Sequence, residues 1–337
     1  MSISLTTADL SRAVQLRRAN QELKGQMAAL THEITTGQRH DLAAAQRGDR
    51  GALAFMGSQL TALEALSNNA TLIGNDLQAV QTAFSGIETV VQDFGAAFIG
   101  HGLAGNPATL SLAARQAAAG METVVGALNV SVGGRYLLSG ASVDVPPISP
   151  ATDILASARA IAAAQPTAGQ AIAALDAWFA APAGAGGLLD QAYHGVAGGT
   201  GVPISPGTKI GNPVDASAAG LRDIMKGLAI AALAGDPPAA FGEGAAALLI
   251  GAAGERMVAG GMELTKMQAA VGVAQATVEQ AATRNGAEIS SLKIMQSKLV
   301  SADPYETATA LTEAQGRLES LYALTARLSR LSLAEYL

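Results

Sequence analysis

The side chains that could do chemistry are sparse and match no known catalytic or metal-binding motif. His32-Glu33 resembles the beginning of the zinc motif H-E-x-x-H, but the second histidine of that motif would fall at Thr36, so the spacing excludes it. Neither a G-x-x-x-x-G-K-[ST] phosphate loop nor a G-x-S-x-G nucleophile turn occurs in the sequence. The remaining histidines are scattered without ligand spacing: His40, His101 and His194. The sequence therefore predicts no catalytic, metal or cofactor site.

The composition argues against several other classes of function. Aromatic residues make up 4% of the 337 residues, charged residues make up 14%, and cysteine is absent. Few aromatic side chains are available to line a deep ligand pocket, and a chain without cysteine has neither disulfides nor thiolate metal sites. The net charge of −6 gives no basic surface for nucleic acid. The length allows two or three domains and a sizeable core.

The sequence shows no recognisable targeting segment. The first residues, MSISLTTADLSRAV, lack the basic and then apolar regions of a secretory signal peptide. The most apolar stretches, 227–234 and 245–253, are shorter than half of the roughly 20 residues that a membrane span needs. We therefore expect a protein that is soluble, or exported by a route that does not read a hydrophobic signal, and that has no membrane as a partner.

The positions that organise the chain are apolar and lie at its two ends. Asp303-Pro304 is a typical helix start, and the residues after it contain no proline and one glycine, Gly316. Leucines recur there at steps of three, four and seven, which is helical spacing. They are Leu311, Leu318, Leu321, Leu324, Leu328 and Leu331. A fully buried leucine contributes roughly 1.5–3 kcal/mol, so this helix needs a partner surface.

The amino-terminal segment offers such a surface. After Thr6-Thr7, which we predict to be an N-cap, residues 8–36 contain no proline and one glycine, Gly25. Apolar residues then follow at heptad steps of four, three and four: Leu23, Met27, Leu30 and Ile34. Two interpretations remain open. The two ends are either surface helices of one globular core or coiled-coil helices that complete their packing between subunits.

Between the two ends the pattern predicts further helices. Gly37 lies at the C′ position, where left-handed geometry ends the first helix. The expected segments are helix 51–91, a turn region at 100–107, helix 108–130 and helix 244–300. The third of these should end near Gly133-Gly134, with Val132 in the core.

Residues 149–216 differ in character and are interpreted as an insertion. An alanine-rich stretch within it should be helical with an interruption at Pro166. Trp178-Phe179 are expected to pack the small core of the insertion, and a ligand-binding role is the alternative for this pair. Residues 202–210 predict a β-hairpin with Pro206-Gly207 as its turn.

Two short segments, together with the leucine-rich end, resemble the flagellin superfamily. In that family an S-T-G-x-R-like segment follows the first long helix, and here it is matched by Thr35, Thr36, Gly37 and Arg39. A later N-G-R-Y-x-F-x-G-like segment is matched by Gly134, Arg135, Tyr136, Leu137 and Gly140. Within the superfamily the chain is most similar to hook-associated protein 3, the family of junction proteins between hook and filament.

The helical patterns and the resemblance lead to one expected architecture. We expect a mainly α protein: an elongated helical bundle or coiled-coil trunk formed by both termini, with a small inserted middle domain that contains a β-hairpin. The expected domains are a terminal coiled-coil assembly domain of 1–45 and 301–337, a helical trunk domain of 46–148 and 217–300, and an inserted outer domain of 149–216.

The resemblance implies a structural role and no enzymatic activity. The chain would be a subunit of the bacterial flagellum that joins hook to filament by helical self-assembly through the two apolar rows of its terminal helices. Implied partners are copies of itself, hook-side and filament-side subunits and an export chaperone. The implied location is the extracellular flagellum, reached without a cleaved signal peptide. Two alternatives remain: a filament flagellin, and a non-flagellar helical interaction or signalling protein.

The expected role of the last helix can be tested by truncation. Deletion of residues 312–337 should leave a folded protein that cannot assemble, because the carboxy-terminal leucine row is then missing. Circular dichroism would report folding, and sedimentation together with electron microscopy would report assembly. Polymers formed by the truncated chain would contradict the proposed role of this row.

Overall fold

The computed structural model describes residues 3–41, 51–199 and 201–334, with the side chains of residues 11–12, 14–41, 51–199 and 201–327. The α-helices in these ranges are α1 Ile3–Thr36, α2 Gly51–Ala104, α3 Pro107–Leu128, α4 Ala151–Ala163, α5 Ala168–Ala180, α6 Leu188–Gln191, α7 Ala219–Leu233, α8 Ala245–Val300 and α9 Pro304–Ala334. A 3-10 turn covers Ala239–Phe241. The strands are β1 Ser131–Val132, β2 Arg135–Tyr136, β3 Val202–Ser205 and β4 Thr208–Ile210.

The predicted fold class is confirmed. The protein is mainly α, its terminal helices are long, and the hairpin expected at 202–210 forms from antiparallel β3 and β4. Gly207 in the hairpin turn has φ +75°, a left-handed conformation that glycine adopts at no steric cost. The interruption at Pro166 separates α4 from α5, because proline cannot continue a helix interior.

The chain divides into two compact units. The terminal unit comprises Met1–Ala62 and Ala287–Leu337, and the central unit comprises Leu63–Gly286. The three-part domain division expected from the sequence stays a prediction.

In the central unit, α2 and α8 pack antiparallel at glycine positions. Gly254 lies so close to α2 that an added Cβ would be 2.7 Å from the carbonyl oxygen of Gly95 and 2.8 Å from the amide nitrogen of Ile99. At Gly102 an added Cβ would be 2.7 Å from the Cα of Gly251. Glycine inside a helix costs about 1 kcal/mol relative to alanine, and here it permits backbone-to-backbone approach. Interhelical amide contacts continue the pairing, with Gln275 Nε2 donating to Gln78 Oε1 at 3.2 Å.

The same close approach explains one wrong expectation. The sequence predicts a turn region over the whole of residues 100–107. Helix α2 instead runs through Ala104, and the chain turns at Gly105-Asn106. Gly102 is in the helix because it packs against α8, so this glycine marks a contact and not a helix end.

The glycine pair at 133–134 was also misread as a helix end. Helix α3 stops at Leu128, and Gly133 and Gly134, with φ +58° and +79°, form the two-residue loop of the small β1–β2 hairpin. Positive φ at both positions is the geometry of a type I′ turn. Val132, expected in the core, is 37% exposed on this hairpin. Helix α1 likewise begins at Ile3, ahead of the N-cap predicted at Thr6-Thr7.

The middle helices join the core of the central unit through apolar packing. Trp178 and Phe179, expected to pack the core of the insertion, are 8% and 1% exposed and belong to the continuous buried cluster of the central unit. Their rings stack edge to face with centroids 4.9 Å apart. Arg222 Nη1 on α7 donates to the carbonyl oxygen of Phe179 at 2.7 Å. In the structure this aromatic pair therefore packs the core of the central unit.

A cluster of charges fastens α5 to α7 and α8. Arg256 binds both carboxylate oxygens of Asp176, with Nε to Oδ1 at 2.8 Å and Nη2 to Oδ2 at 2.6 Å. Lys226 contacts Asp223 at 2.7 Å and Asp176 at 3.3 Å. Burial acts to raise the pKa of Asp176, but the hydrogen bonds and charges of Arg256 and Lys226 outweigh it, so that pKa lies below its usual value. The network thus favours a charged Asp176.

The β3–β4 hairpin is fastened by two asparagines. Asn285 Nδ2 on α8 donates to the carbonyl oxygen of Ile204 at 2.7 Å, and Asn69 Nδ2 on α2 donates to that of Pro203 at 3.0 Å. Asn285 is 1% exposed. A two-stranded hairpin is marginal by itself in water, so these contacts and the buried Ile204 hold it against the helices.

The described helices do not meet the requirements of a span across a lipid bilayer. Within the described ranges, none combines the length and the apolar character that crossing a membrane requires.

The close packing of α8 on α2 predicts opposite effects for two glycine substitutions in one helix. Gly254→Ala should destabilise the protein by about 1–3 kcal/mol, because its Cβ meets backbone atoms of α2 that cannot give way. Gly272→Ala is the matched control. No atom lies within 4 Å of its added Cβ, so alanine should stabilise α8 by about 0.5–1 kcal/mol. Thermal unfolding measures both, and equal shifts of Tm would contradict the packing argument.

Candidate assembly surface

The two terminal helices pair antiparallel within the terminal unit. Just after α1, Gln38 forms an antiparallel bridge with Ser301, which lies just before α9. Further along, Leu30 and Ala310 line one shallow groove between the helices. Still further from the bridge, Asn20 hydrogen-bonds to Tyr322. Residue numbers therefore fall along α1 as they rise along α9.

The contact between α1 and α9 follows a heptad on both helices. Among the positions of α1 that are partly withdrawn from solvent, one row steps by four and three: Leu16, Asn20, Leu23, Met27 and Leu30. A row of withdrawn positions on α9 steps in the same way: Thr307, Leu311, Ala314, Leu318, Leu321 and Thr325. We call these two rows the terminal seam. Steps of four and three keep one face of each helix toward its partner.

Six of the predicted interface residues fall in the terminal seam. They are Leu23, Met27, Leu30, Leu311, Leu318 and Leu321. The sequence reasoning missed the seam positions that are small or polar, such as Asn20 and Ala314. The signal that could have found them was the heptad register itself, continued through residues that are not leucine.

The other predicted interface residues lie differently. Ile34 is 43% exposed and Leu324 is 54% exposed, so this helix pair leaves much of both side chains in water. The side chains of Leu328 and Leu331 lie outside the described residues. Further large side chains of the terminal unit are open to solvent, with Ile294 58% and Tyr305 84% exposed.

Two helices packed against each other bury few of their side chains completely. Among the described side chains of α1 and α9, those that are buried are Thr307 and Ala314, each 5% exposed. The seam leucines are therefore half-buried, and they gain a part of the roughly 1.5–3 kcal/mol that full burial of each would contribute. The terminal unit retains apolar surface that another molecule can cover.

Asn20 of the terminal seam takes part in a polar contact between the two helices. Asn20 and Lys24 hydrogen-bond to the phenol of Tyr322, and these bonds hold the pKa of Tyr322 below its usual value. A polar residue at a core position of a helix pair lowers stability and favours one register over others. Asn20 thus contributes to the alignment of α1 with α9.

The first family segment ties α1 to the link between α8 and α9. Gly37, with φ +69°, ends α1 and accepts at its carbonyl oxygen from the amide of Ala302 at 2.9 Å. The Arg39 amide donates to the carbonyl of Val300 at 2.9 Å, and Arg39 Nε donates to that of Ser301 at 3.2 Å. Thr36 Oγ1 donates to the carbonyl of His32 at 2.7 Å. We call these contacts the terminal clamp.

The second family segment builds a backbone junction in the central unit. After the Gly133-Gly134 turn, Arg135 faces Asp76 of α2 at 3.7 Å, and the Tyr136 amide donates to the carbonyl of Val143 at 2.7 Å. Gly140, with φ +66°, leaves no room for a side chain because an added Cβ would overlap the carbonyl oxygen of Val196. The glycine and arginine of this segment therefore serve packing and pairing.

The histidines do not converge on one site. The rings of His32 and His40 meet edge to face at 5.6 Å, while His101 lies in α2. His194 Nε2 is 2.9 Å from Ser149 Oγ. Within the described ranges no group of three or more histidine and carboxylate side chains could hold a metal ion.

Comparison with protein families decides the class of the molecule. The family model described as the bacterial flagellin N-terminal helical region matches residues 8–143, and that described as the bacterial flagellin C-terminal helical region matches residues 260–337. The two matches together span well over half of the chain. The chain belongs to the flagellin superfamily. A search of curated proteins gave no match.

Flagellins are structural, non-enzymatic proteins that are exported and polymerise into the extracellular flagellum. The matched ranges contain both rows of the terminal seam and both segments of the terminal clamp. As a member of this family the chain is a structural flagellar subunit, which excludes the non-flagellar interaction or signalling protein considered from the sequence.

The terminal clamp predicts a contrast between two glycines of the first helix region. Gly37→Ala should weaken the clamp, because a non-glycine residue in the left-handed conformation costs roughly 1–2 kcal/mol. Gly25→Ala is the control: its φ is ordinary and no atom lies within 4 Å of the added Cβ, so it should strengthen α1. Hydrogen exchange at the Ala302 amide, which donates to Gly37, measures the effect. Unchanged exchange in Gly37→Ala would contradict it.

Proposed function

We propose that the chain is a junction subunit of the flagellum, which joins hook to filament by docking its terminal helices on those of neighbouring copies. The function requires no catalysis. It requires an apolar surface that is only partly buried within one copy and that becomes buried when the next copy docks.

The observation that carries this proposal is the unfinished burial of apolar side chains on the two terminal helices. The antiparallel pair leaves Ile34 43%, Leu324 54% and Tyr305 84% exposed. Long helices with a half-covered apolar face are stabilised mainly by tertiary packing and little by helix propensity. Docking of a second copy would cover these side chains, and the burial would offset the entropy of ordering them.

The choice of the junction branch rests on the resemblance of the sequence to hook-associated protein 3. Gly134, Arg135, Tyr136 and Gly140 match the second superfamily segment, and the chain then enters the middle helices α4 and α5. In this proposal the partners are further copies of the chain, a hook-side subunit and a filament-side subunit. A chaperone would cover the leucine row of α9 before export, and export would proceed without a cleaved signal peptide.

A filament flagellin is the second candidate, because the two matching family models fit a filament flagellin as well as a junction subunit. The two roles differ in copy number and not in the physics of docking. Incubation of the purified chain alone, and with isolated hooks, separates them. A junction subunit should bind hook ends and form no long filaments alone, whereas long filaments of the chain by itself would favour the flagellin role.

The difference in burial between two leucines of α9 predicts that substitution can affect assembly without affecting folding. Leu324→Ala should change the free energy of unfolding by less than about 0.5 kcal/mol, since the side chain is 54% exposed. It should raise the critical concentration for assembly at least about tenfold, if docking buries the leucine. Leu318→Ala, at a half-buried seam position, should weaken the helix pair within one copy as well.

Sedimentation on hooks and thermal unfolding measure the two effects. Alanine preserves helix propensity in both variants, so each reports the lost side-chain contact. Assembly of Leu324→Ala at the concentration of the unsubstituted chain would show that this face of α9 is not part of the docking surface.

A further inference from the structure

The central unit contains a cavity that neither the terminal seam nor the terminal clamp uses. Its volume is about 500 Å³, within the range of small-ligand sites. Helix α2 contributes the apolar lining residues Ile73, Leu77 and Val80, and the loops contribute Val143 and Val214. The walls can accept an aliphatic group.

A carboxylate with little compensation lies in this cavity. Asp76 lines it and is 8% exposed. The nearest positive charge is Arg135 Nη1, 3.7 Å from Asp76 Oδ2, on a side chain that is 44% exposed. Charge-assisted hydrogen bonds are about 2.7–2.9 Å long, so this ion pair leaves the acceptor capacity of Asp76 largely unused. Burial raises the pKa of Asp76 more than Arg135 lowers it, in keeping with weak compensation.

The charges around the cavity select for a cation. Its charged lining side chains, within the described part of the chain, are Asp76, Asp215 and Arg135. Two carboxylates against one guanidinium give a negative lining, and low-dielectric walls strengthen its attraction for positive charge. A bare divalent ion fits poorly, because calcium takes six to eight oxygen ligands and no group of three metal-binding side chains lies in the described residues.

We propose that this cavity binds an organic cation, an ammonium or guanidinium group on a short aliphatic stem. The charged group bonds to the carboxylate of Asp76, and the stem packs on the wall of Ile73, Leu77 and Val80. Arg135 then moves toward solvent, to which 44% of its side-chain surface is already exposed. The group has two possible sources: a free small molecule, or a lysine or arginine side chain of a second copy. The site is independent of whether the chain is a junction subunit or a filament flagellin.

Titration of the full chain with n-butylguanidinium by calorimetry tests the site, with n-butanol as the neutral probe of equal stem length. Butylguanidinium should bind and butanol should bind at least about tenfold more weakly. Asp76→Asn should weaken the binding of butylguanidinium at least about tenfold, because it removes the buried charge and keeps the shape of the side chain. Absence of binding, or equal binding of the two probes, would overturn the proposal.

Arg135→Gln provides a second and opposite test. Removing the internal guanidinium should tighten the binding of butylguanidinium severalfold, since the probe no longer competes with Arg135 for Asp76. This variant keeps the result decisive if Asp76→Asn fails to fold, which the thermal unfolding of each variant shows. Unchanged or weaker binding by a folded Arg135→Gln would contradict the assigned role of Asp76.

The source of the cation is assigned by comparing unassembled and assembled chain. If a side chain of a second copy occupies the cavity, butylguanidinium should bind the unassembled chain and not the polymer, and it should raise the critical concentration for assembly. If the natural occupant is a free molecule, both forms should bind the probe equally. Each result requires binding to the unassembled chain, so a failure there sinks both sources together.

Discussion

The structure depends on a limit of helix packing: two helices cannot enclose an apolar row that faces in more than one direction. The terminal seam buries Ala314 and Thr307, yet Leu324 on the same helix stays 54% exposed. The free energy of covering such side chains becomes available when another surface approaches. In the proposed function, assembly is a consequence of this unfinished burial, and the terminal clamp holds the two helices so that they present their remaining apolar surface together.

The central unit solves the opposite problem, which is to fill its interior from residues with small side chains. Alanine and glycine bring helix backbones close, as Gly254 does against Gly95, and this close approach adds dispersion contacts between the helices. Charges add direction to this packing. The bidentate pair of Arg256 with Asp176 joins helices that are 80 residues apart in sequence and gives them one orientation.

The two family segments have a common physical role, because each allows the backbone to turn and pair where a side chain would obstruct. Gly37 lets α1 end against the α8–α9 link, and Gly140 lets the chain after β2 approach Val196. Each segment also holds an arginine that reaches across to another part of the chain, Arg39 to a carbonyl oxygen and Arg135 to a carboxylate. Such a segment identifies a joint between elements and not a reactive site.

The sequence by itself determined the features that depend on neighbouring residues: the helix start at Asp303-Pro304, the helix end at Gly37, and the heptad faces of the terminal helices. It misjudged Gly102, because a glycine that ends a helix and one that admits a second helix look alike until the partner, Gly251, is known. The burial of Asp76 likewise depends on loops about 60 residues and more away. Helix caps and heptad patterns depend on residues that are close in sequence. Close backbone approach, burial and charge compensation arise only when distant segments meet, so the tertiary structure alone decided them.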